Sequence, residues 1–184
     1  MEHMKRVDRV LKHRGAIVDF YDDVMESPSG HIAHWDYIAH RKGAAAVVPV
    51  LDDGRILMVR QHRNALERET LEIPAGSRDD VNEPRIECAA RELEEETGYR
   101  AGKLELLITV ATTVAFCNEL IEIYLATNLT RTETHLDEDE FVEVGCYTPE
   151  ELKEMIFSQK IQDSKTVAAI LAYDAKRRAD IPEK

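Results

Sequence analysis

Apolar and polar positions along this chain follow two periods. Within His31 to Ala39, residues Ala33, Trp35, Tyr37 and Ala39 fall on one face with period two, which predicts a strand. Ala16 to Met25 reads as a second strand, joined to the first by the turn Ser27-Pro28-Ser29-Gly30. The Trp35 and Tyr37 face calls for cover. Ala44 to Leu51 and Arg55 to Arg63 read as a hairpin around Asp52-Asp53-Gly54. Leu71-Glu72-Ile73 is a short strand entering Pro74-Ala75-Gly76, and Leu104 to Thr112, Leu120 to Thr127 and Phe141 to Tyr147 are further strands.

The second period is helical. Glu83 to Thr97 predicts a helix with Asn82 as N-cap, Pro84 in its first turn and Gly98 as its stop, burying a stripe of Ile86, Ala89, Ala90 and Leu93. Thr148-Pro149-Glu150-Glu151 has the Thr-x-x-Glu form of a capping box and opens a helix to about Phe157. A last helix, from about Ser164 to Arg178, directs Val167, Ile170, Leu171 and Ala175 inward. The order of elements predicts an α/β (α+β) fold, a mixed sheet flanked by helices. An antiparallel strand arm over residues 1–41 precedes a domain over 42–184.

Composition narrows the class. The 184 residues are 43% hydrophobic and 33% charged, which suits a folded domain and not a disordered chain. No apolar run reaches the roughly 18 residues of a membrane span, and no apolar signal core is present. A net charge of -12 argues against a nucleic acid polymer as partner but admits a phosphorylated small molecule bridged by divalent cations. Cys88, Cys117 and Cys146 are widely separated, form neither a zinc pattern nor a disulfide framework, and read as small buried residues of a cytoplasmic protein.

Candidate chemistry lies in Arg91-Glu92-Leu93-Glu94-Glu95-Glu96-Thr97-Gly98-Tyr99. On a helix Glu92, Glu95 and Glu96 project together, and Arg91 stands four residues before Glu95. Such carboxylates repel one another, and a hard cation such as Mg²⁺ would offset the repulsion. Taken alone the run also reads as a solvated helix face. Its context, an Ile-Pro-Ala-Gly turn before the helix and a Gly after it, favours the metal.

Gly76 to Tyr99 resembles the Nudix box, G-x5-E-x7-R-E-U-x-E-E-x-G-U with U apolar. Glu83, Arg91, Glu92, Leu93, Glu95, Glu96, Gly98 and Tyr99 stand at its positions, while six residues, not five, separate Gly76 from Glu83. Outside the box, Gln61-His62-Arg63, Glu69 to Gly76, Phe116-Cys117-Asn118-Glu119, Asp137 to Glu140 and Ile161 to Thr166 are similar to segments of the ADP-ribose pyrophosphatase group. That group carries a Pro-Ser-Pro-Gly-Phe stretch where this chain reads Thr112-Thr113-Val114-Ala115-Phe116.

The resemblance implies hydrolysis of ADP-ribose, or of a related nucleoside diphosphate sugar, with Mg²⁺ or Mn²⁺. It also implies a homodimer that exchanges its strand arm. Glu92 and Glu96 would be metal ligands, Glu95 would share a site or act in catalysis, Arg91 would hold Glu95, and Ala75 would offer its backbone carbonyl. In the acidic loop Glu138 would be the general base and Glu140 would approach the metals, unless the loop is only a solvated turn. Arg63 would hold a phosphate or serve as an ion-pair partner, with Glu72 beside it as a further substrate-site residue. Trp35 would stack on the base or pack in the dimer or the core. His34 and His40 read as surface residues of the arm. A nucleotide-sensing module without catalysis would lack Glu92 or Glu96, and both are present. The acidic loop lacks the spacing and central Gly of an EF-hand.

Overall fold

The computed structural model describes residues 1–134, 136 and 141–179. The arm is a three-stranded antiparallel sheet of β1 (Lys5–Arg14), β2 (Val18–Glu26) and β3 (Ile32–His40), with β2 in the middle. β1 is an addition to the two expected strands. Its sequence is mostly charged and exposed, so no apolar alternation marks it. The Arg9 guanidinium anchors it, bonding both oxygens of Asp23 at 2.6 Å and lying 3.5 Å from the centre of the Tyr37 ring. Part of the Trp35 and Tyr37 face thus gains its cover from an arginine, and Trp35 stays 50% exposed.

The body holds two sheets. One is four-stranded in the order β7 (Ala75–Ser77), β4 (Ala44–Pro49), β9 (Leu120–Arg131), β8 (Tyr99–Ala111), with β4 and β9 parallel. The other is β10 (Val142–Tyr147), β5 (Ile56–Arg63), β6 (Arg68–Glu72), antiparallel. The turn at Asp52-Asp53-Gly54 forms, with Gly54 at φ +83. The hairpin it was expected to join does not continue past the Val50 to Ile56 bridge, because β4 and β5 part into different sheets. Pro49 has no N–H for such a ladder, and β4, buried at every position, needs strands on both sides.

Period two along β4 and β9 sends alternate residues to two layers. Ala45, Val47, Tyr124 and Ala126 face α1 (Arg85–Thr97) through Cys88, Ala89 and Leu93. Ala46, Val48, Ile121 and Ile123 face α2 (Pro149–Phe157) and α3 (Ser164–Ala179) through Leu152, Ala169 and Ile170. Burying the Val, Leu and Ile side chains among these contributes about 1.5–3 kcal/mol each before conformational entropy is subtracted.

Helix boundaries hold with local corrections. Thr148 and Glu151 form the expected capping box. The first helix is capped at Pro84, not Asn82, and no side chain caps it. Glu83 precedes a proline and is therefore disfavoured from helical geometry, which pushes the start to Arg85. Ile86, Leu171 and Ala175 are exposed; α3 buries Ile170 as expected and, beside it, Lys165, Thr166, Ala169 and Asp174. Cys146 is exposed as well, while Cys88 is buried and its thiol is pushed up to about 12 by burial and the neighbouring Glu92 and Glu83.

Candidate active site

The Ile73 to Gly76 turn and the C-terminal half of α1 meet at the centre of the site. The Pro74 carbonyl accepts from Val47 N–H at 3.0 Å, and Ala75, Gly76 and Ser77 then pair with β4. This ties the turn to a strand that is buried at every position. Ala75 N–H donates to Glu96 Oε2 at 3.2 Å, so its contact with the helix carboxylates is through its N–H. A Cβ on Gly76 would overlap the carboxylate of Glu92. Glu92 and Glu96, one helical turn apart, are 6% and 3% exposed, whereas Glu95 is half-buried.

Arg91 gathers the carboxylates. Its Nη1 donates to Glu92 Oε1 and Glu95 Oε2 at 2.8 Å, its Nε to Glu83 Oε1 at 3.2 Å, and its Nη2 to the Ser77 carbonyl at 3.0 Å. Burial, which would favour losing its proton, is outweighed by Glu83, Glu92 and Glu95, and Arg91 is held charged. The long loop before α1 is organised around the same point. Arg78 donates to the carbonyls of Lys42, Val81 and Glu83, and Glu83 accepts from Asp79 N–H at 2.7 Å. Asn82 sits in this loop, its N–H on Asp80. The extra loop residue leaves the register of α1 untouched and keeps Glu83 on Arg91.

Beside the turn lies a cavity of about 350 Å³, lined by residues that include Arg63, Gly76, Thr112, Glu119 and Lys165. Arg63 donates through Nε and Nη2 to both oxygens of Glu72, at 2.8 and 2.7 Å. Glu72 is 2% exposed and also accepts from Thr70 and Lys165. Burial would raise its pKa, but Arg63, Lys165 and Thr70 bring it down to about 2. Glu72 is thus saturated by its own neighbours, and Arg63 takes the expected ion-pair role while also lining the cavity.

Two lining segments enter on contacts that residue spacing alone does not reveal. His40 accepts from Gly43 N–H at Nδ1, which leaves Nε2 toward Glu119 at 3.4 Å; it is not a surface side chain. Lys165 and Asp163 come from the start of α3. Both segments, around Phe116–Glu119 and Ile161–Thr166, are visible in the sequence only through their resemblance to a family. Trp35 is not among the cavity-lining residues. Val114 and Ala115 lie on an exposed turn without positive φ, which requires no glycine. Glu138 and Glu140 lie outside the described residues.

Among the described residues no three His, Cys, Asp or Glu side chains converge in ligating geometry. The donors still suit a hard divalent cation: Glu92, Glu95 and Glu96 offer only carboxylate oxygens, and one arginine stands against Glu83, Glu92 and Glu95. The space left by Gly76 holds one of these carboxylates at the turn.

Comparison with known proteins bears on this geometry. A NUDIX domain model matches residues 40–170. The chain is 42% identical over 158 residues to an ADP-ribose pyrophosphatase of Bacillus subtilis (strain 168), covering 85% of this chain and 84% of that protein. It is 40% identical over 158 residues to a methanol dehydrogenase activator of Bacillus methanolicus, again covering 85% and 84%. The crystal structure of an ADP compounds hydrolase superposes with a TM-score of 0.87 over 97% of this chain and 96% of the other, at 18% identity, a likeness of fold. Among the described residues no helix is long and apolar enough to cross a membrane.

Proposed function

Since the chain belongs to the Nudix family, we propose that it hydrolyses the pyrophosphate bond of ADP-ribose to AMP and ribose 5-phosphate, with Mg²⁺ as cofactor and Mn²⁺ as a substitute. The observation that carries this reading is the cluster on Arg91, in which Glu92, Glu95 and Glu83 converge beside the Gly76 turn, next to a cavity walled by Arg63.

Each residue then has a task. Glu92 and Glu96 would hold the cation, with Glu95 sharing the site and Ala75 offering its backbone. When bound, the cation lowers the pKa of a coordinated water and neutralises phosphate charge. Glu138 takes the proton of the attacking water as the new P–O bond forms and the bridging P–O bond breaks, and Glu140 would add a further carboxylate for the cation. Arg63 holds a phosphate oxygen. Arg91 touches the carboxylates and not the substrate, so its part is positioning. Glu72 acts through Arg63 in the same way. Trp35, exposed in one chain, stacks on adenine across a homodimer that shares its arm. Three free cysteines and the acidic balance fit a reducing compartment, and we assign the protein to the cytoplasm.

A panel of nucleoside diphosphate derivatives with Mg²⁺ or Mn²⁺, read by product release, tests the reading. Preference for ADP-ribose is expected. Preference for another member would move the substrate to a related nucleoside diphosphate sugar, a reading that Val114-Ala115 favours. Nucleotide binding with no turnover of any member would make the chain a sensor. Glu138→Gln should lower kcat and leave KM near the parent value.

A further inference from the structure

Lys165 stands where two cavities share a wall. Arg63, Asp163 and Lys165 line both the cavity beside Gly76 and a second one of about 410 Å³ that also meets Arg68 and Thr70. Lysine is seldom buried unless paired, yet Lys165 is 8% exposed. Its ammonium donates to Glu72 and, at 2.9 Å, to Asp163 Oδ2. Glu72 is the carboxylate that grips Arg63 through Nε and Nη2, leaving Nη1 outside the fork.

Counting charges decides what the lysine does. Arg63, Glu72, Lys165 and Asp163 together are neutral; without the lysine the set carries one net negative charge. A net negative set repels a diphosphate. The contact between α3 and the turn does not depend on this lysine, because Thr166 Oγ1 accepts from Ile73 N–H at 3.0 Å and Asp163 caps the helix through Thr166 N–H.

We propose that Lys165 is a positioning residue that shares Glu72 with Arg63, so that Arg63 keeps its fork and the surrounding set of charges stays neutral, not negative, toward the substrate's diphosphate. The proposal rests on the pyrophosphohydrolase reading and extends it to a residue on α3.

Lys165→Met and Lys165→Arg in the full chain test it by two measurements. In ADP-ribose hydrolysis with Mg²⁺, Lys165→Met raises KM by about tenfold with kcat within about twofold, the scale of one lost charged hydrogen bond, and Lys165→Arg restores KM. In calorimetry, Lys165→Met binds inorganic pyrophosphate about tenfold more weakly than the parent, and Lys165→Arg binds it like the parent. A fall in kcat at unchanged KM, unrelieved by arginine, would overturn the proposal. So would pyrophosphate binding that is equal, or equally absent, in the parent and Lys165→Met. A parent that ignores ADP-ribose yet shows the pyrophosphate difference would sink the substrate reading alone and leave the role of Lys165 standing.

Discussion

The carboxylate of Glu92 occupies the space in which a side chain at residue 76 would begin. Turn and helix are therefore matched at one point, a glycine against a buried glutamate, and the match sets where the carboxylate stands relative to the Ala75 N–H and Glu96.

Gly76→Ala should displace that carboxylate while the fold survives, since the obstructed group is the end of a flexible side chain. Apparent Mg²⁺ affinity should fall by roughly 10–100-fold, the usual cost of disturbing the support of a metal ligand. Mg²⁺ titration of activity beside a thermal melt checks this. Unchanged Mg²⁺ dependence would mean that Glu92 works from another position.

Arg91→Lys keeps the positive charge and loses the fork that reaches Glu83, Glu92, Glu95 and Ser77 at once. Activity should drop by roughly 10–100-fold with the charge balance intact. A lysine variant as active as the parent would show that Arg91 supplies charge alone.

The sequence made the carboxylate helix legible because helical period and Gly98 are local signals, and the described helix ends at the glycine, at φ +67. Most strands of the body were legible as apolar runs, but β7 (Ala75–Ser77) lies in what reads as a turn, and β6 (Arg68–Glu72) and β8 (Tyr99–Ala111) begin before their apolar stretches. The partners of the strands were not legible. The Gly54 turn signals a hairpin, yet the long-range pairing of β4 with β9 and β7 outweighs it. β1 escaped notice because its stability comes from a ladder and from Arg9 on Asp23 and Tyr37, contacts invisible to apolar periodicity. In the site, local residues such as Glu92 and Glu96 could be named from spacing. Glu72 could be named but not given its three donors, and Lys165 and His40 acquire meaning only when segments far apart in the chain meet.

Glu72 makes acid stability measurable. Its pKa in the folded protein is about 2, against an ordinary 4.5. Its stabilising contribution is therefore complete above about pH 4.5 and is lost as the pH falls through about 2. Glu72→Gln should cost on the order of 3 kcal/mol at neutral pH. The gap to the parent should narrow as the pH is lowered from 4.5 toward 2, in denaturant melts at a series of pH values. A gap independent of pH would mean that the loss comes from packing and not from the charge.

The central claim is that buried box carboxylates beside the Gly76 turn make this chain a metal-dependent ADP-ribose hydrolase. The most direct measurement is kcat/KM for ADP-ribose with saturating Mg²⁺, for the parent and for Glu96→Gln, with the products identified. The account predicts AMP and ribose 5-phosphate from the parent, none after chelation of the metal, and a loss of roughly 100–1,000-fold in the variant, the scale of several kcal/mol of charge stabilisation. Equal rates for parent and variant, or turnover that survives chelation, would contradict it.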